Sequence, residues 1–233
     1  MFVVLVYLIT LLLISAAFFL DLSNKSQILD AETLSYVDYY YSTFSQKDYS
    51  IRNNPSLNKF IKCLRHPTKQ ELAILKEHAD KVDRDYPKLA NLIQWKFIVF
   101  SQNMENKFPH THGRFIFIHE DHIENIGYVT LFHEKIHVYQ RFYPCETNLL
   151  LAALGYTFHD ISDNMGRSNP DINNIVYMDF ENKVIDNSFI EGATDLTHIT
   201  DARDHPYEIM AYEISRISQT CPIINRWVRE YFV

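Results

Sequence analysis

Residues 131–141 read LFHEKIHVYQR. On a helix, side chains four apart lie on one face a turn from each other. His133 and His137 would then present two imidazoles to a single point, with Glu134 aimed into the space beside it. Leu131, Phe132, Ile136, Val138 and Tyr139 supply the apolar flanks that bury such a helix while its ligand face looks into a cleft. This HExxH pattern holds a zinc ion on the two histidines and offers the glutamate as base to a water that the ion activates. Zinc is the expected cofactor, His133 and His137 are the expected ligands, and Glu134 is the expected catalytic residue. The structural alternative is a buried helix whose two histidines happen to fall four apart.

A catalytic zinc takes three protein ligands and keeps one position open. No histidine follows at the short spacing that would supply a third one, since residues 141–143 are Arg-Phe-Tyr. A carboxylate further along the chain is the expected third ligand, with two candidates. In HPYEIMAYEIS, Pro206 suits the first turn of a helix, and Glu208 and Ala211 then share a face. The small alanine allows a close approach to the first helix. Glu191 in FIEGATDL is the alternative, with Asp195 four residues on able to orient a histidine. Gly192 is a poor early-helix residue, so Glu208 is preferred. Glu213 reads as an ordinary solvated charge.

The HEKIH segment resembles the active-site helix of the zincin metallopeptidases. Together with the upstream PHTHG, HEKIHVYQR is similar to uncharacterised HExxH proteins of large DNA viruses. The Glu208–Ala211 spacing resembles the ExxA element that carries the glutamate ligand in gluzincins. The resemblance implies a zincin-like catalytic domain that cleaves a peptide or protein substrate. It also implies that His110 and His112 lie near the site. They alternate, so an extended stretch puts them on one face, where they would line the cleft beside an edge strand able to pair with a substrate backbone. Two departures stand out. Lys135 occupies a place that is usually uncharged and is expected to snorkel to solvent. Tyr212 stands where gluzincins often have a supporting aspartate. Tyr177 or Tyr139 could donate to an oxyanion, with Tyr177 the preferred substrate-binding candidate. A second metal site from His110, His112, His119 and His122 matches no established spacing.

Length and composition frame these motifs. A chain of 233 residues can bury one sizeable core. A formal charge of −7 without a Lys/Arg stripe disfavours nucleic acid as a partner. Five glycines argue against a Gly-rich phosphate loop. Cys63, Cys145 and Cys221 form no CxxC pair, which excludes a Cys-rich zinc site.

Residues 1–20, MFVVLVYLITLLLISAAFFL, carry no charge and would span about 30 Å as a helix. A transmembrane anchor is expected there, making a single-pass membrane protein. The alternative is a signal peptide cleaved near Ser15, Ala16 and Ala17, giving a secreted protein. Residues 21–30 read as a tether and 31–233 as the zincin-like metallopeptidase domain.

Along that domain, 31–45 reads as a tyrosine-rich helix. Thr68 to Glu71 form a capping box opening a helix to about residue 84. Residues 95–101 and 114–118 suit strands, with NKFPHTHG as a loop between them. Helices are expected over 123–142, 146–154 and, as the last element, 206–218. SNPDINN reads as a turn and IVYMDF as a strand. The fold class is α+β, dominated by helix, with a small sheet beside the active-site helix. The expected function is a membrane-tethered zinc-dependent hydrolase, most simply a metallopeptidase. The alternatives are a non-catalytic membrane protein that keeps a structural or vestigial zinc site, and a zinc-free scaffold. The sequence gives no indication of oligomeric state.

Overall fold

The computed structural model describes residues 61–161, 175–186, 205–216 and 221–233 without interruption, together with residues 169, 171 and 172 and parts of 29–52. In chain order the described elements are α1 (Gln46–Ile51), β1 (Leu64–Arg65), α2 (Lys69–Asp85), α3 (Pro87–Leu92), β2 (Phe97–Phe100), β3 (His110–His112), β4 (Phe115–His119), α4 (Tyr128–Phe142), α5 (Pro144–Ala153), β5 (Thr157–Ile161), β6 (Ile175–Met178), β7 (Val184–Ile185), α6 (Pro206–Ser215) and α7 (Pro222–Tyr231). The class is α+β with helix dominant, as the sequence pattern implies.

The capping box forms as expected. Thr68 Oγ1 accepts the Glu71 N–H at 3.2 Å, and Glu71 Oε2 accepts the Thr68 N–H at 2.7 Å. Two otherwise orphaned donors at the start of α2 are thereby satisfied. Leu75, Ala79 and Val82 then recur at helical spacing and turn inward. Tyr86 leaves the helical region before Pro87, which opens α3 at its first position.

Strands β1 to β4 form one sheet in the order β1-β2-β4-β3. The inner pair, β2 and β4, is parallel, and the outer pairs are antiparallel. Every residue of β2 and β4 is buried, so both strands read as apolar runs rather than alternating patterns. Alternation still sorts their side chains. Phe97, Val99, Ile116 and Ile118 enter the main core with α2 and α4. Ile98, Phe100, Phe115 and Phe117 enter a second cluster with Leu29, Val37 and Phe44 on the opposite face. A smaller antiparallel sheet joins β5, β6 and β7.

Helix α4 runs through the main core. From Leu131 to Gln140 every residue except His133 is buried. Tyr139 meets Trp227 and Phe232 edge-on, at 5.7 and 4.9 Å between ring centroids. Each such fully buried large side chain contributes about 1.5–3 kcal/mol. That burial holds the helix in place and lets polar residues on it be aimed.

Several expected boundaries shift. HTH in the presumed loop is strand β3, and Gly113, at φ 53°, makes the turn into β4. Residues 120–125 form a 3₁₀ turn, so α4 begins only at Tyr128. Strand β5 and helix α7 carry no counterpart in the sequence reading. Ile224, Trp227 and Val228 of α7 pack inward at helical spacing.

The single-pass membrane assignment is corrected. Among the described residues no helix is long and apolar enough to cross a membrane. The longest of them, α2, has 17 residues and the charged sequence KQELAILKEHADKVDRD. The expected anchor at 1–20 and most of the expected tether lie outside the described residues.

Candidate metal centre

Helices α4 and α6 pack against each other, and this brings the two sequence motifs together. His205 caps α6, its Nδ1 accepting the Tyr207 N–H at 3.2 Å, and Pro206 follows in the first turn. Glu208 and Ala211 are both buried. Glu208 Oε2 lies 3.4 Å from His133 Nε2, and Glu208 Oε1 lies 3.1 Å from His137 Nε2. The two Nε2 atoms are 3.0 Å apart. Ligand atoms around a tetrahedral zinc stand about 3.3 Å from one another, so the spacing suits one ion. His133, His137 and Glu208 are the single such His/Cys/Asp/Glu group among the described residues.

The surrounding bonds fit the same donor set. Gln140 Nε2 donates to the Tyr207 carbonyl at 2.9 Å. Its Oε1 therefore faces His137 Nδ1, 2.8 Å away, and must accept from it. The imidazole proton is thereby placed on Nδ1, and the Nε2 lone pair points at His133 and Glu208. Asn169 Nδ2 donates to Glu208 Oε1 at 2.6 Å. The Tyr212 ring packs 4.5 Å from the His133 ring. Two nitrogen lone pairs and a carboxylate converging on one place need a proton or a cation among them. Two imidazoles and a carboxylate so placed could hold a divalent metal.

Proton affinities follow from this crowding. Burial works against a charged His137, but the Glu208 carboxylate outweighs it and raises the imidazole to about 9. Burial pushes Glu208 upward, yet His137 and His133 together hold it well below the usual carboxylate range. Glu134 goes the other way. Burial, then the neighbouring Asp171 and Glu208 charges, hold its carboxyl well above that range, against the pull of His137 and Arg141. Glu134 is 4% exposed, and its Oε2 has no hydrogen-bond partner among the described residues.

Other expected site residues lie elsewhere. His110 and His112 are corrected to the far face of the sheet. Antiparallel pairing with β4 aligns them with Phe117 and Phe115, and alternation carries them into the second cluster. The His110 ring stacks on Phe117 at 5.2 Å, and the His112 ring meets Phe117 at 5.1 Å. Thr111 between them faces α4, where Arg141 Nη1 donates to its Oγ1 at 2.6 Å. Tyr177 is also corrected. Its ring is buried against His205 and Tyr207, and its hydroxyl donates to Asn148 Oδ1 at 2.7 Å. Tyr139 is core. Glu191 and Asp195 lie outside the described residues.

Lys135 does not snorkel. It is fully buried, with Nζ 2.6 Å from Asp83 Oδ1 and 4.3 Å from the centre of the Trp95 ring. Trp95 Nε1 donates to both oxygens of Asp83, at 2.9 and 3.0 Å. Helix α2 thus supplies the counter-charge inside the protein. Burial pushes the Lys135 ammonium down, against the pull of Asp83.

Four residues around the centre escaped the sequence reading: Gln140, Arg141, Asn169 and Asp171. Gln140 was accessible to it, being three residues after His137 on the same helical face. Asn169 and Asp171 lie in the SNPDINN stretch of sequence and carry no local sign of reaching α4 or α6. No protein-family model, curated protein or solved structure matches the chain.

Proposed function

We propose that this protein is a zinc-dependent hydrolase of peptide bonds with a zincin-like catalytic domain. The observation that carries the reading is the convergence of His133 Nε2 and His137 Nε2, 3.0 Å apart, on the Glu208 carboxylate, whose Oε2 is 3.4 Å from the first and Oε1 3.1 Å from the second. The buried carboxylate of Glu134, whose Oε2 has no hydrogen-bond partner among the described residues, lies on the same helix, one residue from His133.

His133, His137 and Glu208 would hold the ion. Bound there, zinc would supply Lewis acidity toward water and toward a substrate carbonyl. Glu134 takes the proton from the attacking water and delivers it to the departing amine. Its raised proton affinity suits a group that must bind a proton in one half of the reaction and release it in the other. Gln140 and Asn169 orient His137 and Glu208 by the hydrogen bonds they make. The small sheet beside α4, with β3 at its edge, supports a zincin-like arrangement.

Elemental analysis tests the metal, and Glu134→Gln tests the chemistry. One zinc per chain is expected in the wild type and in Glu134→Gln, with peptide hydrolysis lost only in the variant. Zinc should be lost in His137→Ala and Glu208→Ala. Full activity in zinc-loaded Glu134→Gln would overturn the role of Glu134. A folded wild type that takes up no zinc would overturn the whole reading.

A non-catalytic metal site is the second reading, favoured by enclosure. The His133 side chain is 13% exposed, and those of His137 and Glu208 are 0% and 6% exposed. Stoichiometric zinc without hydrolysis of any peptide would select it.

A further inference from the structure

Residues in an antiparallel pair alternate between exchanging both backbone bonds with the partner strand and turning them outward. In edge strand β3 the outward residue is Thr111. Its N–H is given to Asp171 Oδ1, and its carbonyl accepts from Arg141 Nη2 at 2.8 Å. A peptide strand adding to this edge would use the same two groups, offering an acceptor to the N–H and a donor to the carbonyl. Here one carboxylate and one guanidinium do both.

The network is closed on itself. Thr111 Oγ1 donates to Asp171 Oδ1 at 2.9 Å, and Arg141 Nη2 also donates to the Asp171 carbonyl at 2.6 Å. Thr111 is 0% and Asp171 7% exposed. Two residues back along the chain, Asn169 Oδ1 accepts the Asp171 N–H at 2.7 Å. The other end of that amide, Nδ2, bonds Glu208 Oε1, the oxygen 3.1 Å from His137 Nε2. Asn169 and Asp171 therefore cover the edge strand and at the same time hold an oxygen of the candidate ligand Glu208.

We propose that Asn169 and Asp171 form an autoinhibitory clasp, which occupies the backbone groups of β3 that an extended peptide needs and must be released for substrate to bind. The clasp rests on the peptidase reading and adds to it a closed resting state. A structural buttress made of the same bonds predicts the opposite sign, because removing a buttress loosens the substrate site whereas removing a clasp uncovers it.

Two probes on the zinc-loaded full chain separate these outcomes. Acetohydroxamate engages only the metal. A tripeptide hydroxamate engages the metal and extends along the edge strand. In Asp171→Ala, the tripeptide hydroxamate should bind about tenfold tighter than in the wild type, as when about a tenth of the wild type is open. Acetohydroxamate affinity and zinc content should stay unchanged, and the Thr111 amide should exchange faster with deuterium. Should Asp171→Ala not fold, Asp171→Asn, which keeps the shape but weakens the acceptor for the Thr111 N–H and hydroxyl, should shift tripeptide binding in the same direction by a smaller factor. Equal or weaker tripeptide binding in the folded variants, with acetohydroxamate still bound, overturns the clasp alone. If acetohydroxamate binds none of the zinc-loaded proteins, the open catalytic metal is overturned, and the clasp with it.

Discussion

His133 and His137 on α4, and His110 and His112 on β3, are each spaced to share a face. The helical pair meets a carboxylate from α6 at 3.4 and 3.1 Å. The strand pair meets the aromatic rings of Phe117 and Phe100 on the other side of the sheet. Periodicity settles that two side chains point the same way. Which way is settled by the partner strand, and β4 places Phe115 and Phe117 opposite the strand histidines. Spacing is thus a statement about pairs, and chemistry needs the third group.

The largest test of this contrast is on the helical pair. Glu134→Gln should lower peptide hydrolysis by about 10²–10⁴-fold with zinc retained, the usual worth of a positioned base. Assays of hydrolysis beside metal content check it. Next comes Lys135, a polar group that does have its third partner. Asp83→Ala leaves a fully buried ammonium without its carboxylate and should cost about 3–5 kcal/mol in denaturant unfolding. Lys135→Met should cost less, about 1–2 kcal/mol, because Asp83 is 31% exposed and keeps Trp95 as donor. Equal costs would show that burial of the lysine is not what makes the pair matter.

The effect of pH is smaller per unit and has a definite sign. Metal-free protein holds a proton on His137 up to about 9, whereas a metal needs that imidazole neutral. Zinc affinity should therefore rise about tenfold per pH unit until about 9. Calorimetry in buffers of different ionisation heat should find a proton released from His137 at pH 7. In the metal-free chain the same raised value stabilises the fold fully below the ordinary 6.5 and is lost as pH climbs through about 9. A plateau of affinity already near 6.5 would show that Glu208 does not face His137 as described. The smallest effect belongs to the strand pair. His110→Phe and His112→Phe should leave zinc content unchanged, and loss of metal in either would break the contrast itself.

Much of the centre was legible because its signals are local. HEKIH, Pro206 with Glu208, and the Thr68–Glu71 capping box are each written within one or two helical turns. What was not legible depends on pairing across the chain. Thr111, Arg141 and Asp171 meet over separations that only folding closes. The fate of Lys135 depends on a carboxylate 52 residues earlier. Strand β5 was missed for a related reason. All five of its residues are exposed, so it lacks the buried apolar face by which a strand is recognised.

The buried lysine also has a use as a reporter. Among the lysines whose side chains are described, Lys135 alone is buried. An amine-acetylating reagent should modify the surface lysines of the native protein and spare this one, since its Nζ lies between a carboxylate and an indole. Acetylation at Lys135, read by mass spectrometry, would then time the separation of α2 from α4. The helix that carries the candidate metal ligands thus contains its own footprinting label.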